Sequence, residues 1–233
     1  MTGKIVSNAT NLQVLYEDNH IIAINKRVGD LVQGDKTGDK PLPEIVKEYL
    51  KIKYNKPGEV YLGVVHRLDR PTTGIVVFAK TSKALPRLNA LFSNRETQKT
   101  YWAIVKNAPP KPIDTLSHYL KRNEKSNTSK AHLKEVHDSK LAVLEYQIIK
   151  KLDHYFALEI KLFTGRHHQI RAQLQFINCP IKGDLKYGFD RSNPDGGIHL
   201  HARKLVFIHP VSKNIIEIIA PTPNDSIWNS VEN

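Results

Sequence analysis

The stretch HRLDRPTTG, from His66 to Gly74, separates two short apolar runs at 60–65 and 75–78. Apolar runs of this length, bounded by turn-forming residues, are typical of buried strands. Pro71 and Gly74 interrupt the pattern between them, so the stretch itself is predicted to be a loop. A loop held between two rigid strands is a common place for chemical groups to be presented. The sequence therefore predicts a sheet and, at the same point, a candidate site.

Strand-like runs outnumber helical ones along the rest of the chain. Strands are predicted at 12–16, 20–25, 60–65, 75–78, 100–105, 141–149, 155–162, 199–208 and 214–219, and helices begin near Leu42, Ser82 and Gly165. Because the two kinds of element do not alternate regularly, the expected fold class is α+β, with a mixed, mainly antiparallel central sheet, flanking helices and an active-site cleft. One catalytic domain is expected over 12–221, with an N-terminal tail at 1–11 and a C-terminal tail at 222–233.

Charge indicates the partner. The 233 residues include 35 Lys and Arg against 23 Asp and Glu, which gives a formal net charge of +12. Such an excess favours nucleic acid as the partner. The segment 108–128 is rich in proline and then polar, and it is predicted to be a mobile basic excursion whose positive charges continue to Lys134.

Several classes of protein are excluded by composition. No apolar run approaches the roughly 18 residues of a membrane span, and the N-terminus lacks the apolar stretch of a secretory signal, so a cytoplasmic protein is expected. The single cysteine, Cys179, cannot form an intrachain disulfide or a thiolate metal cage. His167 and His168 are adjacent, and His199 and His201 alternate along a predicted strand without a nearby acidic set. No metal is expected.

Within the first loop, Asp69 lies between Arg67 and Arg70. Nearby positive charge favours the ionised carboxylate, and a carboxylate is a competent nucleophile toward an electrophilic sugar carbon. The same residues would also suit a structural Asp–Arg pair that fixes the loop. Arginines in this arrangement are, in addition, what a phosphate backbone requires. Charge and spacing leave these interpretations open.

A second polar cluster, TGRHHQIR, occupies 164–171. If a helix begins at the start of this cluster, His167 and Arg171 lie four residues apart on one face. The helix N-terminus with Arg166 and Arg171 would then form an anion site for a phosphate or for the Asp69 carboxylate. An ordinary basic surface helix is the alternative.

Tyr101, in the predicted strand 100–105, is the third candidate. Side chains alternate along a strand, so Tyr101 and Trp102 face opposite ways, and one can pack in the core while the other lines a cleft. In a cleft, Tyr101 would stack on a base and transfer a proton, whereas core packing is the alternative.

Taken in order, these motifs resemble those of the RluA family of RNA pseudouridine synthases, from about Leu12 to Pro221. HRLDRPTTG is similar to the family signature HRLDxxTSG, with Asp69 at the position of the nucleophile. The other matches are INKRVGDLV at 24–32 with NKPxG, KTYWAIV at 99–105 with the strand of the active-site tyrosine, TGRHHQIRAQL at 164–174 with TGRxHQIRxH, GDLKYG at 183–188 with GDxxYG, and LHARKLVFIHP at 200–210 with the final signature.

The chain also departs from the family pattern. Arg27 replaces the usual proline, which is expected to loosen the first loop without removing a catalytic group. Thr73 replaces serine and keeps a hydroxyl, and Gln173 replaces a frequent histidine. Many relatives carry an S4-type RNA-binding module before the catalytic domain, for which residues 1–11 are too short. We therefore expect the catalytic domain to capture RNA itself or with help from another factor.

The resemblance implies an isomerase that converts a specific uridine of structured RNA into pseudouridine without a cofactor. The base would first be flipped out of its stack. Asp69 would attack C1′ or assist elimination to a glycal, and the residues leave both routes open. Tyr101 would stack on the detached uracil and transfer protons, and Arg171 would pair with Asp69.

RNA contacts are likewise implied by the resemblance. Arg67 would hold the flipped conformation, and the rest of the RNA-contacting set would be His66, Arg70 and Arg166. The excess positive charge indicates, in addition, phosphate contacts from 121–134 and from the rim around Arg67, Arg70 and Arg166. Ribosomal RNA is favoured over transfer RNA, and a monomer is expected. Two other functions stay open: an RNA-binding assembly factor or chaperone, and a sugar-bond hydrolase, for which no acidic partner of Asp69 stands at a motif position.

Overall fold

The computed structural model describes residues 5–35 and 38–232, which form eleven β-strands and four α-helices. The strands are β1 (Val14–Glu17), β2 (Ile21–Lys26), β3 (Gly63–Val64), β4 (Thr73–Ala79), β5 (Gln98–Val105), β6 (Ile113–Asn123), β7 (Thr128–His132), β8 (Ser139–Lys151), β9 (Phe156–Leu162), β10 (Leu200–Ile208) and β11 (Ile215–Ile219). The helices are α1 (Leu42–Lys53), α2 (Ala84–Ser93), α3 (Gln169–Phe176) and α4 (Ser226–Glu232), with a 3-10 helix at Leu185–Tyr187. Within these ranges, no helix is long and apolar enough to cross a membrane.

Two compact units make up the chain. The first consists of Met1–Thr97 and Ala202–Pro223, and the second of Gln98–His201 and Asn224–Asn233. The single domain expected over 12–221 stays a prediction.

The sheet of the first unit is built on β2 and β4, which are buried along their whole length. β1 and β2 form the predicted hairpin, in which Oδ1 of Asp18 accepts hydrogen bonds from the N–H groups of His20 at 2.7 Å and Ile21 at 2.8 Å. β2 pairs antiparallel with β4, β10 lies beside β4, and β11 pairs antiparallel with β10. The predicted strands are thus confirmed here, although the run at 60–65 yields only the short β3.

Helices cover both faces of β2 and β4, because successive side chains of a strand point to opposite faces. The cluster with α1 contains Ile22, Ile24, Val76, Phe78, Leu42, Val46 and Leu50, and the cluster with α2 contains Ile21, Ala23, Ile75, Val77, Ala84 and Leu88. α1 begins directly after Pro41, as predicted. α2 begins at Ala84, whose N–H donates to Oγ1 of Thr81 at 3.2 Å, so Thr81 takes the place expected for Ser82.

Arg27 fastens the described part of the N-terminal segment to the first unit. Its Nη1 donates to Oδ1 of Asn11 at 2.9 Å, and its Nη2 donates to the backbone oxygen of Asn11 at 2.8 Å. The Ser7 hydroxyl donates to Asp30 at 2.7 Å, and the same carboxylate accepts from the Arg27 backbone N–H at 3.1 Å. The expectation that Arg27 loosens this loop is therefore wrong, because a proline would have neither the guanidinium that binds Asn11 nor the N–H that binds Asp30.

In the second unit, five strands form an antiparallel sheet in the order β5-β9-β8-β6-β7. The predicted strand at 100–105 and the predicted strand pair at 141–149 and 155–162 are confirmed. Helix α3 contributes to two apolar clusters with the sheet, which include Ile170, Leu174, Leu144, Tyr146 and Ile160 in one and Ala172, Leu120, Ala131 and Ala142 in the other.

The segment 108–128 is not the mobile excursion that its composition predicts. β6 pairs with β8 from Ile113↔Gln147 to Lys121↔Ser139 and with β7 near its end. Every second residue in the middle of β6 is buried: Leu116, His118 and Leu120. The prediction failed because the prolines all precede the strand and the polar residues between the buried ones obscure the two-residue period.

The C-terminal segment 222–233, expected to be a tail, contains α4. Oδ1 of Asp225 accepts the N–H groups of Ile227 and Trp228, both at 2.9 Å, and so caps this helix. Trp228 is buried in one cluster with Ile104 and Ala157. Removing this large ring from water explains why the segment packs on the second unit.

Candidate active site

The side chain of Lys26 is hydrogen-bonded to the backbone of the loop that carries Asp69. Nζ of Lys26 donates to the backbone oxygens of Arg27 and Arg70 at 3.0 Å each and of Thr72 at 2.7 Å. The Thr72 N–H donates to the backbone oxygen of Asp69 at 3.0 Å and closes a turn. Two of the three Lys26 contacts thus fall on the loop itself, directly after Asp69.

Lys26 is 1% exposed. Burial lowers its pKa to about 7, while the charges of Asp30 and Asp69 favour the protonated form and Arg70 opposes it. Lys26 is not among the site residues predicted from the sequence. The one signal in the sequence was a lysine at the end of a largely apolar strand. A lysine buried at such a position needs carbonyl oxygens as hydrogen-bond partners.

The C-terminal end of the loop requires glycine. Gly74 has a φ of +108°, and a Cβ at this position would lie 2.4 Å from the backbone oxygen of Ala202. Only glycine permits β4 to start this close to β10. The C-terminal half of the loop is therefore held both by the lysine and by a close backbone approach.

The predicted RNA-contacting residues of this loop have protein partners. His66 accepts the Val77 N–H at Nε2 at 3.0 Å and stacks on Phe92 with ring centroids 4.5 Å apart. Arg70 is ion-paired with Asp39 and lies 3.7 Å from Asp35. His66 thus helps to hold the loop against β4 and α2, and the contacts of these residues with RNA stay predictions.

Asp69 and Arg67 differ in solvent exposure. Asp69 is half-buried, whereas Arg67 is exposed and hydrogen-bonded to Gln33.

In the second unit, Arg171 is fixed by a buried ion pair with Asp184, which the sequence did not predict. Its Nε donates to Oδ2 of Asp184 at 2.7 Å and its Nη2 to Oδ1 at 2.8 Å. The two side chains are only 5% and 1% exposed. The Tyr187 ring lies with its centroid 4.9 Å from Cζ of Arg171, which adds a cation–π contact. Asp184 and Tyr187 both belong to the GDLKYG motif.

His168 completes the surroundings of Arg171. Its Nε2 lies 3.0 Å from Nη1 of Arg171, and its Nδ1 lies 2.9 Å from the Tyr187 hydroxyl. That hydroxyl also accepts the Ser129 N–H at 2.8 Å. His168 has a φ of 51°, a left-handed conformation that turns the chain into α3. Tertiary contacts therefore hold this ring in place.

α3 begins at Gln169, four residues later than the pattern predicts. Oε1 of Gln169 accepts the Arg166 N–H at 3.0 Å and the Thr164 hydroxyl at 2.8 Å, which orders the preceding turn. His167 lies in that turn, so it does not share a helical face with Arg171. It stacks on His168 with centroids 3.8 Å apart.

Tyr101 lies on β5, half-buried against the main apolar cluster of the second unit. Trp102 faces the other way, and its Nε1 donates to Glu159 at 3.3 Å. Arg166 donates from Nε to the backbone oxygen of Leu141 at 3.0 Å. The first unit therefore contains Asp69 and the predicted RNA-contacting residues His66, Arg67 and Arg70. The second unit contains Tyr101, Arg166 and Arg171. The pairing of Arg171 with Asp69 stays a prediction.

Comparison with known proteins identifies the family. A family model described as RNA pseudouridylate synthase matches residues 20–176. "Ribosomal large subunit pseudouridine synthase D" of Xylella fastidiosa is 34% identical over 92% of this chain and 67% of that protein. "Ribosomal large subunit pseudouridine synthase C" of Rickettsia bellii is 32% identical over 94% of this chain and 71% of that protein.

The fold agrees with this assignment. The solved structure titled "Human RNA Pseudouridylate Synthase Domain Containing 4" has a TM-score of 0.78 and 23% identity, and the match covers 94% of this chain and 93% of that chain. The α+β fold class predicted from the sequence is thus confirmed. With its motifs, its fold and its relatives in agreement, the chain belongs to the RluA family of RNA pseudouridine synthases, isomerases that act on RNA.

Proposed function

We propose that this enzyme isomerises a specific uridine of ribosomal RNA, flipped out of its stack, with Asp69 as the nucleophile. The observation that carries the proposal is the anchoring of the Asp69 loop by Lys26. This lysine donates to the backbone oxygens of Arg70 and Thr72, which directly follow Asp69 in the loop. A nucleophile must be held in a productive geometry for its attack to be efficient, and the buried side chain of Lys26, which is hydrogen-bonded to the loop backbone, supplies that rigidity.

The chemistry needs no external reagent. The bond from C1′ to N1 breaks, a bond from C1′ to C5 forms, and the proton on C5 is replaced by one on N1, so no electrons are gained or lost. Asp69 attacks C1′ or assists elimination to a glycal, Tyr101 stacks on the detached uracil and moves the proton, and Arg171 pairs with Asp69. Flipping the uridine costs a few kcal/mol, which contacts of Arg67 and other cations with the RNA backbone offset.

Ribosomal RNA is preferred to transfer RNA as the substrate. The relatives named above are ribosomal large subunit pseudouridine synthases, and they match more than nine-tenths of this chain.

The test is the Asp69→Asn variant. Release of tritium from RNA labelled at uridine C5 reports the reaction, because this hydrogen leaves when C5 joins the sugar. Asp69→Asn should abolish the release while RNA binding survives, and Asp190→Asn, at an exposed ion pair with Lys106, should leave it unchanged. Retained turnover in Asp69→Asn would refute the proposal. Mapping pseudouridines in total RNA with and without the gene then names the substrate.

A further inference from the structure

In the part of the chain that the structure describes, one face of the sheet formed by β6, β7 and β8 consists largely of exposed and half-buried residues. Its inner face is buried against α3 through residues that include Leu120 and Ala131. Because side chains alternate along a strand, the neighbouring residues point to the opposite side. We call this side the outer face, and its residues are Tyr119, Lys121, Lys130, His132 and Leu141.

The two lysines of the outer face are directly opposite each other. Lys121 of β6 is the register partner of Lys130 of β7. Like charges directly opposite on neighbouring strands destabilise a sheet, by up to about 1 kcal/mol. Neither lysine forms an ion pair with any residue in 5–35 or 38–232. The sheet therefore carries an uncompensated pair of ammonium groups, which an anion would offset.

Two rings lie beside this pair. Tyr119 is the register partner of His132, two residues along the same strands, and also of Leu141 on β8. Both rings are half-buried, and Leu141 is 44% exposed. An aromatic platform next to paired cations is the combination that binds single-stranded nucleic acid, in which bases stack on rings and phosphates meet the charges.

Arg166 links the outer face to the catalytic motif. Its Nε donates to the backbone oxygen of Leu141, the residue opposite Tyr119. Arg166 precedes Arg171 by five residues in the TGRHHQIR sequence.

We propose that the outer face binds a single-stranded segment of the substrate RNA that flanks the target uridine. Tyr119 and His132 stack on bases, while Lys121, Lys130 and Arg166 contact phosphates. The inference rests on the proposed function only in taking RNA as the substrate. It adds the surface that captures the RNA and the single-stranded state of the captured segment.

The first experiment removes the charge pair. Binding of a short fluorescent single-stranded RNA is measured by anisotropy at several salt concentrations for Lys121→Gln/Lys130→Gln. We expect roughly tenfold weaker binding at moderate salt and a salt slope smaller by about 1 to 2, because each lost phosphate contact removes about 0.7 from the slope for single strands. Lys51→Gln/Lys56→Gln, which removes two exposed lysines of the first unit, should leave both quantities near the wild-type values.

Stability separates a binding role from a structural one. The Lys121→Gln/Lys130→Gln protein should have a Tm equal to or above that of the wild type, because it loses only a repulsive pair. Tyr119→Ala should weaken binding of the single strand about fivefold or more, whereas Tyr119→Phe, which keeps a stacking ring, should not. Duplex RNA should be insensitive to both changes at Tyr119.

Measurement of KM and kcat tests the role of the outer face separately from the proposed reaction at Asp69. The double lysine variant should raise KM and leave kcat unchanged at saturating RNA. Equal salt slopes for the two double variants, or a fall in kcat with unchanged KM, would overturn the inference. Neither result bears on Asp69, whose role is decided by the Asp69→Asn variant alone.

Discussion

Arg171 donates a hydrogen bond from Nη1 to Nε2 of His168 at 3.0 Å. A guanidinium has only donors, so Nε2 must be the acceptor and His168 must carry its single proton on Nδ1. Nδ1 then donates to the Tyr187 hydroxyl at 2.9 Å. With Asp184 on the other edge of the guanidinium, the direction of Arg171 is determined from two sides.

Replacing His168 with Phe should therefore impair catalysis while the protein stays folded. The ring remains, but the acceptor for Arg171 is lost, and a hydrogen bond to a charged group contributes about 1.5 kcal/mol or more. We expect kcat to fall about tenfold with little change in KM, measured by tritium release.

His154→Phe is the matched control, since His154 is exposed in the β8–β9 turn. An unchanged kcat in His168→Phe would show that Asp184 alone orients Arg171.

Asp184→Asn should be strongly destabilising. It leaves the buried guanidinium of Arg171 without its carboxylate, and breaking a buried pair costs about 3 to 5 kcal/mol. Urea unfolding measures the loss. Asp190→Asn breaks the exposed pair with Lys106 and should leave the free energy of unfolding close to that of the wild type. Similar losses for the two variants would contradict a buried, energetically important pair.

Lys26→Met should lower kcat more than RNA affinity. The substitution keeps most of the apolar part of the side chain but removes the amino group that donates to the three backbone oxygens, so the loop beside Asp69 loses its anchor. Titration with RNA and turnover at saturating RNA separate the two quantities. A variant that binds RNA poorly but turns over normally would show that the anchor serves binding.

The same variant tests the pH dependence of stability. Burial lowers the pKa of Lys26 from 10.5 to about 7. Between these values Lys26 is neutral in the folded protein and protonated in the unfolded chain, so the unfolded chain binds more protons. The free energy of unfolding contributed by Lys26 therefore rises with pH over this window, and the contribution is lost as pH falls through 7.

Denaturation of the wild type and Lys26→Met at several pH values measures this difference, which should change in favour of the wild type from pH 7 toward 10.5. A constant difference would mean that the three carbonyls keep Lys26 protonated.

Glu17 provides the acidic counterpart. It accepts hydrogen bonds from Lys53 and Lys80 at 2.7 Å each and from Tyr54 at 2.8 Å. Burial alone would raise the pKa of Glu17, but these donors lower it from 4.5 to about 2. As pH falls from 4.5 to 2, the unfolded chain takes up a proton before the folded protein does, so this stabilisation is lost.

Glu17→Gln should thus cost about 2 to 3 kcal/mol near neutral pH, with the difference shrinking toward pH 2. Glu44→Gln, at an exposed pair with Lys47, is the control and should cost about 0.5 kcal/mol or less. A difference between the wild type and Glu17→Gln that does not vary with pH would contradict the lowered pKa.

The sequence by itself determined the strands around the HRLDRPTTG loop, the first hairpin and the motifs that carry Asp69, Tyr101 and Arg171. These features are local: apolar runs, turn residues and motif spacing are visible over a few residues. The resemblance to the RluA family rested on them as well, and the family match confirmed it.

Other features depend on residues far apart in the chain, which local patterns do not reveal. β6 became a strand because β8 pairs with it along nine successive residues, despite its polar composition. Lys26 meets carbonyls more than 40 residues away, at Arg70 and Thr72, and those oxygens give its buried ammonium group the partners that water would otherwise supply. Only the tertiary structure decided these contacts, because the free energy of a buried polar group depends on the neighbours that the fold brings to it.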